Sequence, residues 1–104
     1  MAEQSDPEVV RLTGQLDMTA VEKVRTSLEP LLGFEHPIVD LSDVTYMDSA
    51  ALSVFLEYQR LLSESGKILK IVTRSTALLH LFKITSLDRH IGVFPTVGAA
   101  RSQT

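Results

Sequence analysis

The stretch MDSAALSVFLEYQRLL, residues 47–62, has the pattern of an amphipathic helix that begins at its third residue. Asp48 stands where an N-cap belongs, so Ser49 is predicted to be the first helical residue. Polar residues then recur at helical spacing along one stripe: Ser49, Ser53, Glu57, Arg60 and Glu64. The predicted buried side consists of Ala51, Leu52, Phe55, Leu56, Tyr58, Leu61 and Leu62. The pattern therefore places the Ser49 hydroxyl on the accessible side of a helix start.

Segments on either side of this helix alternate between strand-like and helix-like spacing of apolar residues. Strands are predicted at residues 8–13, where Gly14 stops the first one, and at 37–41, 67–72 and 91–94. Besides the quoted helix, which should end before Gly66, helices are predicted from Thr19 to near Pro30, after Ser75, and at residues 96–101. This order predicts an α/β fold with a mainly parallel sheet of four to five strands and about four helices.

Individual residues indicate where the first helix begins, which side chains are buried and where the domain ends. Thr19 and Glu22 have the spacing of a capping box, which predicts the start of the first helix. In the third helix, Leu78, Leu79, Leu81 and Phe82 are expected to face inward, and Phe34, Tyr46, Leu87 and Ile91 are expected in the core. Residues 1–7 are predicted to be a flexible tail or a partial edge strand, residues 8–101 the domain, and residues 102–104 a C-terminal tail.

Length and composition limit the classes of function. With 104 residues the chain is expected to form one domain, and it has no cysteine for a disulfide or a thiolate metal site. A net charge of −3 argues against nucleic-acid binding, which needs a basic surface. No apolar run approaches the roughly 20 residues of a membrane span. We therefore expect a cytoplasmic protein without direct membrane insertion.

Sites in open parallel sheets gather beyond the carboxyl ends of the strands. Here those ends lead into residues 14–18, 42–49, 73–75 and 95–96, so Asp17 and Asp43 are expected near Asp48. Ser49 is expected beside unpaired N–H groups of a helix start, which would tolerate a phosphate. From the Asp-Ser pair alone, however, helix capping without further function is the commoner role.

A catalytic or metal-dependent function has less support from the residues. His36, His80 and His90 lack the spacing of metal ligands and are expected at the surface. Asp17, Asp40, Asp43 and Asp48 could gather to hold Mg²⁺, but no acidic pair follows the first strand and no partnering lysine is evident. The glycines are isolated and form no nucleotide-binding loop. We therefore expect no enzymatic activity, no metal and no cofactor.

Taken together, several segments resemble the STAS family, and in particular the bacterial anti-sigma factor antagonists. The resemblance rests on LTGQLD at residues 12–17, PIVDLSDV at 37–44, VTYMDSAALSVFLEYQRLL at 44–62 and LLHLFKITSL at 78–87. It covers residues 8 to 96 in the family's order and spacing. The pairing of L-T-G-x-L-D with a later M-D-S and an apolar helix is its most specific part.

The resemblance implies a switch in transcription regulation by exchange of protein partners. In the family, an anti-sigma factor that is also an ATP-binding serine kinase binds the antagonist, phosphorylates the serine after M-D, and releases it. A serine/threonine phosphatase restores the active form. The resemblance thus makes Ser49 the phosphoacceptor, with Asp48 positioning or polarising its hydroxyl and Asp17 beside it. The implied partner-binding residues are Asp17, Asp43, Asp48, Ser49, Ala50 and Ser53, in a chain expected to be a monomer.

A departure from the family's motif and the roles of other STAS domains keep an alternative function open. The family usually continues M-D-S with Ser or Thr and then Gly, whereas Ala50 and Ala51 follow here. Other STAS domains belong to lipid- or anion-transport complexes or to signalling scaffolds, and they dock without being phosphorylated. A small residue pair is compatible with such a role, although the acceptor position there is often Thr. The identity of the partner therefore stays open between these two roles.

Overall fold

Four parallel strands form the sheet in the order β1-β2-β3-β4 in the computed structural model of the chain, which describes residues 8–103. The strands are β1 Val9–Leu16, β2 Ile38–Met47, β3 Lys70–Val72 and β4 Gly92–Phe94. The α-helices are α1 Val21–Leu28, α2 Ser49–Glu64, α3 Thr76–Ile84 and α4 Val97–Ser102. Short 3-10 helices span Met18–Ala20, Glu29–Gly33 and Leu87–Arg89. The predicted α/β class, parallel sheet and helix count are confirmed.

The two faces of the sheet bury different amounts of apolar surface. Helices α1, α2 and α3 pack on one face, where Phe55 and Phe82 are fully buried among residues of β1, β2 and β3. On the other face α4 covers a small cluster of Ile38, Val72 and Ala100. Because nearly all of the large buried side chains belong to the first face, that face supplies most of the hydrophobic stabilisation.

A buried lysine fastens α4 to the second face. The Lys70 ammonium donates a hydrogen bond to the carbonyl oxygen of Ala100 at 3.1 Å, and only 8% of the residue is exposed. Burial disfavours the charged form and lowers the pKa of Lys70 below its ordinary value. The carbonyl lies in the last turn of α4, where a positive charge is favoured by the helix dipole.

Strands β1 and β2 are longer than predicted. Gly14 does not end β1: it adopts φ +84° at an irregularity in the pairing, and the strand continues to Leu16. Residues 42–48 were predicted to be a loop after the strand at 37–41, but β2 runs to Met47 and buries Val44 and Met47. Both irregularities place an extra residue in β2, between Asp40 and Asp43 and between Val44 and Tyr46. These bulges interrupt the alternation of buried and exposed side chains in β2 without ending the ladder, so the pairing continues past Gly14 as well.

The start of the first helix also differs from the prediction. Thr19 is not a capping residue: both its N–H and its hydroxyl donate to the Asp17 carboxylate, at 2.9 and 2.5 Å. Asp17 caps the 3-10 helix Met18–Ala20, and α1 begins after it without a side-chain cap. Asp17 precedes Thr19 in the sequence, and its carboxylate accepts the hydrogen bonds of Thr19, so the predicted capping box does not form.

Four residues expected to face inward are exposed: Met18 at 71%, Tyr46 at 50%, Leu56 at 38% and Leu79 at 41%. Val54, which the prediction left out, is buried in place of Leu56. Phe34 packs against the core, and Leu87 and Ile91 are buried as expected. The predicted tail or edge strand at residues 1–7 lies outside the described residues. The boundaries at residues 8–101 and 102–104 stay a prediction, and residue 102 belongs to α4.

Candidate functional site

The candidate site lies where β1 and β2 end side by side, which we call the carboxyl edge. Leu16 pairs with Met47, and the Asp48 N–H donates to the Leu16 carbonyl at 3.1 Å. Neighbouring parallel strands are about 4.8 Å apart, so Asp17 and Asp48 follow the ladder as close neighbours. The predicted proximity of these two residues therefore follows from the strand register.

Asp48 is the N-cap of α2. One of its carboxylate oxygens accepts hydrogen bonds from the N–H groups of Ala50 and Ala51, at 3.0 and 3.1 Å. Ala50 thus contributes its backbone to the cap. No hydrogen bond joins the Asp48 carboxylate to the Ser49 hydroxyl in the part of the chain that the structure describes. The geometry supports a capping role for Asp48 and gives no sign that it polarises Ser49.

Ser49 begins α2 as predicted, and it is exposed. Within residues 8–103 its hydroxyl has no hydrogen-bond partner, so the oxygen is available to a second molecule. The helix start is less open than expected, however, because Asp48 already occupies two of the N–H groups of the first turn. A group attached to the Ser49 oxygen would therefore point away from the helix start more readily than it would cap it.

Ser53 extends the exposed stripe by one turn. It is exposed, and its hydroxyl donates to the Ala50 carbonyl at 2.8 Å. Ser49 and Ser53 therefore share a face of α2, but only the Ser49 hydroxyl is unoccupied.

Contacts with α1 and the segment after it hold α2 in place. Arg25 and Glu57 form an ion pair at 2.8 Å, and the Arg25 pKa is raised by this hydrogen bond and by the charge of Glu57. The buried Tyr58 hydroxyl donates to Glu29 at 2.6 Å, and burial together with that bond raises the pKa of Tyr58 to about 12. These contacts fix the orientation of α2 and therefore the position of its first turn.

Asp43 does not belong to the carboxyl edge. Because β2 continues to Met47, Asp43 lies five residues before Asp48 on an extended strand, a separation of roughly 16 Å. It is exposed and pairs with Arg11 at 2.6 Å, so its charge is compensated locally. The expected proximity of Asp43 to Asp48 is therefore wrong, and the reason is the unpredicted length of the strand.

The four carboxylates considered for a metal do not come together. Asp40 is buried and accepts from the N–H and the hydroxyl of Ser42, while Asp43 pairs with Arg11. Within residues 8–103 no group of three or more acidic or histidine side chains could hold a metal ion. His36, His80 and His90 are exposed, and His80 lies in α3 while the other two lie outside the helices and strands. The same residues include no helix that is long and apolar enough to cross a membrane.

Met18 is a feature of this edge that the sequence did not reveal. It directly follows Asp17, as Ser49 follows Asp48, and 71% of its surface is exposed. Met18 has helical spacing with Val21 and Val24, a pattern that by itself predicts a buried residue. The 3-10 turn changes the direction of its side chain, and an apolar thioether stands at the surface in the turn that follows β1.

All four strands are followed by a helix whose start is capped by a short polar side chain. Asp17 and Asp48 cap the helices after β1 and β2. Ser75, as predicted, accepts from the N–H of Leu78, and Thr96 accepts from the N–H of Ala99. The turns beyond the sheet are therefore fixed by side-chain hydrogen bonds as well as by packing.

Comparison with known proteins assigns the class. The sequence pattern that defines the STAS domain matches residues 1–100. The chain therefore belongs to the STAS domain family, as the resemblance implied.

Within that family the chain is similar to anti-sigma factor antagonists. The Anti-sigma-B factor antagonist of Bacillus subtilis (strain 168) is 34% identical over 85 residues, which cover 81% of this chain and 78% of the relative. A solved structure of a candidate anti-sigma factor antagonist from Thermotoga maritima has 24% identity and a TM-score of 0.81, covering 92% of this chain and 86% of that one.

A second solved structure supports the same fold. The anti-sigma factor antagonist from Mycobacterium paratuberculosis has 24% identity and a TM-score of 0.78, covering 91% of this chain and 82% of that one. At this identity the two structures bear on the fold alone. The Bacillus subtilis relative is described as an antagonist of an anti-sigma factor, in agreement with the expected non-catalytic role.

Proposed function

We propose that the chain is an anti-sigma factor antagonist whose carboxyl edge binds an anti-sigma factor, and that phosphorylation of Ser49 abolishes this binding. The relatives at 34% identity support the antagonist role. The main observation in support of a phosphorylation switch is the state of the Ser49 hydroxyl. It is exposed at a helix start and has no hydrogen-bond partner within residues 8–103. The anti-sigma factor is then also the serine kinase, and a serine/threonine phosphatase reverses the modification.

The binding surface we propose consists of the carboxyl edge and the first turns of α2. Asp17, Asp48 and Ser49 form its centre, while Ala50 and Ser53 extend it along the helix. Asp43 then belongs to the margin of this surface, because it lies along β2 and is paired with Arg11. The exposed Met18 adds an apolar contact beside the carboxylates.

The phosphate acts on the partner rather than on the fold. It adds a charge of roughly −1.5 to −2 next to the carboxylates of Asp17 and Asp48. Asp48 already occupies the N–H groups of Ala50 and Ala51, so the helix start offers the phosphate little compensation. Repulsion from an acidic partner surface can cost several kcal/mol, and about 1.4 kcal/mol already changes affinity tenfold.

The experiment uses the chain as bait in an extract of its own organism. The baits are the wild type, Ser49→Ala, Ser49→Glu and the matched control Ser63→Glu, which alters an exposed serine near the other end of α2, and ATP is added before intact-mass measurement. We expect an anti-sigma factor with kinase activity to bind the wild type, Ser49→Ala and Ser63→Glu, but not Ser49→Glu. One phosphate should appear on the wild type and on Ser63→Glu, and none on Ser49→Ala.

A transport or scaffold role would give a different result. All four baits would then capture the same membrane-transport ATPase or scaffold protein, and no phosphate would be added to any of them. Phosphorylation at Ser53 with Ser49 unmodified would also refute the assignment of the acceptor. Asp48 and Ser49 would in either case be a helix cap alone.

A further inference from the structure

Lys70 is a buried basic residue at the start of β3, with no carboxylate partner in the part of the chain that the structure describes. Only 8% of the residue is exposed, and its ammonium donates one hydrogen bond, to the Ala100 carbonyl. An ammonium has three N–H donors, so two of them have no partner within residues 8–103. Burial lowers the pKa of Lys70, and no negative charge of these residues opposes it. Because buried charges in proteins are normally paired, this environment favours the binding of an anion.

The Lys70 side chain lines a cleft at the end of the sheet opposite the carboxyl edge, which we call the amino-edge cleft. It lies beside the paired first residues of β3 and β4, Lys70 and Gly92, and has a volume of about 330 Å³. Pockets that bind small molecules begin at about this size. Arg89 and His90 add two exposed basic side chains, and no carboxylate is among the lining residues. The cleft therefore combines one buried ammonium with basic groups at its rim.

The rest of the lining of the amino-edge cleft is largely apolar. Ile91 is buried, Phe94 is half-buried and Ile68 is 61% exposed. Gly92 leaves room for the Phe94 ring, since a methyl group at position 92 would lie 2.7 Å from Cε1 of that ring and 3.6 Å from Cγ of Lys70. The ring and the Lys70 side chain thus both approach a residue that has no side chain. This surface suits a ligand with a flat or branched apolar body.

A neighbouring cleft is a weaker candidate. It shares Lys70 with the amino-edge cleft, but its lining includes Glu35 and is otherwise mostly polar. The ammonium of Lys67, which also lines it, already donates to the Leu32 carbonyl at 2.9 Å. An anion with an apolar body would therefore bind better on the Phe94 side of Lys70.

We propose that the amino-edge cleft binds a small organic monoanion, a carboxylate attached to an aromatic or branched apolar body. The carboxylate would accept hydrogen bonds from the Lys70 ammonium and the Arg89 guanidinium, and the body would pack against Ile91 and Phe94. A single charge matches the single buried ammonium, whereas a phosphate dianion would carry a second charge without a buried partner. The inference does not require the proposed function, because the cleft and Ser49 lie at opposite ends of the sheet.

The test is an NMR titration of the full, isotope-labelled chain with benzoate. Benzamide serves as a neutral molecule of nearly the same shape, and inorganic phosphate as an anion without an apolar body. We expect benzoate to shift the amide resonances of Lys70 and of residues 91–94. It should also raise the Lys70 pKa, measured at the side-chain Cε, because a negative charge favours the ammonium. Benzamide and phosphate should bind at least about tenfold more weakly, since each lacks one of the two recognised parts.

Substitutions identify the side chains that bind benzoate. Lys70→Met nearly keeps the length of the side chain but removes its charge, and it should weaken binding at least about tenfold. Arg89→Ala changes an exposed residue and should weaken binding about threefold. Arg74→Ala is the matched control, because Arg74 is exposed just beyond the other end of β3 and does not line the cleft. This control should change the affinity less than about twofold.

The proposal is overturned if millimolar benzoate leaves the resonances of Lys70 and residues 91–94 unshifted, or if benzamide or phosphate binds as tightly as benzoate. Equal losses of affinity in Arg74→Ala and Arg89→Ala would overturn it as well. Because Arg89→Ala alters no buried residue, the result does not depend on the stability of Lys70→Met. Ser49→Ala should bind benzoate as the wild type does, so failure of this test leaves the proposed phosphorylation switch unaffected.

Discussion

Two strand-to-helix junctions lie side by side at the carboxyl edge and differ in the segments that begin after their aspartates. Asp17 and Asp48 have nearly the same backbone, with φ −103° and ψ −173° in the first and φ −102° and ψ −179° in the second. The first leads into a three-residue 3-10 helix and the second into a sixteen-residue α-helix. Both aspartates adopt this geometry because they are N-caps. An Asp-Ser pair at a helix start is therefore not by itself evidence of a function.

The residue after each aspartate distinguishes the junctions. Met18 and Ser49 are both exposed, but one carries a thioether and the other a hydroxyl that can accept a phosphate. The Asp17 carboxylate is also held by the Thr19 hydroxyl, whereas Ala50 occupies the corresponding position after Asp48. The difference between these two residues supports our proposal that the switch lies at the second junction and that the first has a supporting role.

The largest expected difference concerns partner binding. Phosphorylation of Ser49 should lower affinity for the anti-sigma factor at least about 100-fold, or about 2.7 kcal/mol, because charge is added to an acidic surface. Met18→Ala should lower this affinity only about tenfold, because it removes one apolar contact. Calorimetric titration of the purified proteins measures both. Equal losses would show that the two junctions contribute alike.

The second difference concerns the caps. Asp48→Ala should lower the free energy of unfolding by about 1 kcal/mol, because two N–H groups of a long helix lose their acceptor. Asp17→Ala should cost less, since it caps a single turn. Urea denaturation gives both values, and Asp48→Asn should retain most of the stability. A larger loss for Asp17→Ala would reverse the ranking of the two junctions.

A third experiment disturbs the strand that leads to the first junction. Gly14→Ala should lower the free energy of unfolding by about 1–2 kcal/mol, because the alanine must adopt a positive φ. No atom lies within 4 Å of the added methyl position, so the cost is in the backbone. Gly33→Ala is the control, with equal space and no positive φ. Similar denaturation midpoints for both variants would contradict this account.

The smallest effect is on titration. The Thr19 hydroxyl bond, followed by the Thr19 N–H bond, lowers the Asp17 pKa below 3.8. Thr19→Val should raise that pKa toward 3.8, as measured by NMR titration of the carboxyl carbon. A depressed pKa gives stability that is present above pH 3.8 and lost as the pH falls through the folded-state value. The variant should therefore lose less stability on acidification than the wild type.

The sequence predicted the elements whose periodicity is regular. Helix α2 begins at Ser49 and ends before Gly66 as expected, because its cap and stop signals agree with its polar stripe. Predictions failed where two chain segments decide the outcome together. The extension of β2 to Met47 depends on pairing with β1, and no local pattern in residues 42–48 reveals it.

The same limit applies to the candidate site. The positions of Asp17 and Asp48 follow from the ends of neighbouring strands and were predicted. The separation of Asp43 from them was not, because it depends on where β2 ends. The exposure of Met18 was missed as well, since a 3-10 turn has a different residue period from the assumed α-helix.

The four side-chain caps beyond the sheet affect how quickly the proposed switch can respond. An edge whose turns are already fixed loses little conformational freedom when a partner arrives, so association need not wait for a loop to order. A phosphate on Ser49 would then change mainly the lifetime of the complex. The rate of the response would then be set by the kinase and the phosphatase, because the conformation of the domain itself would stay the same.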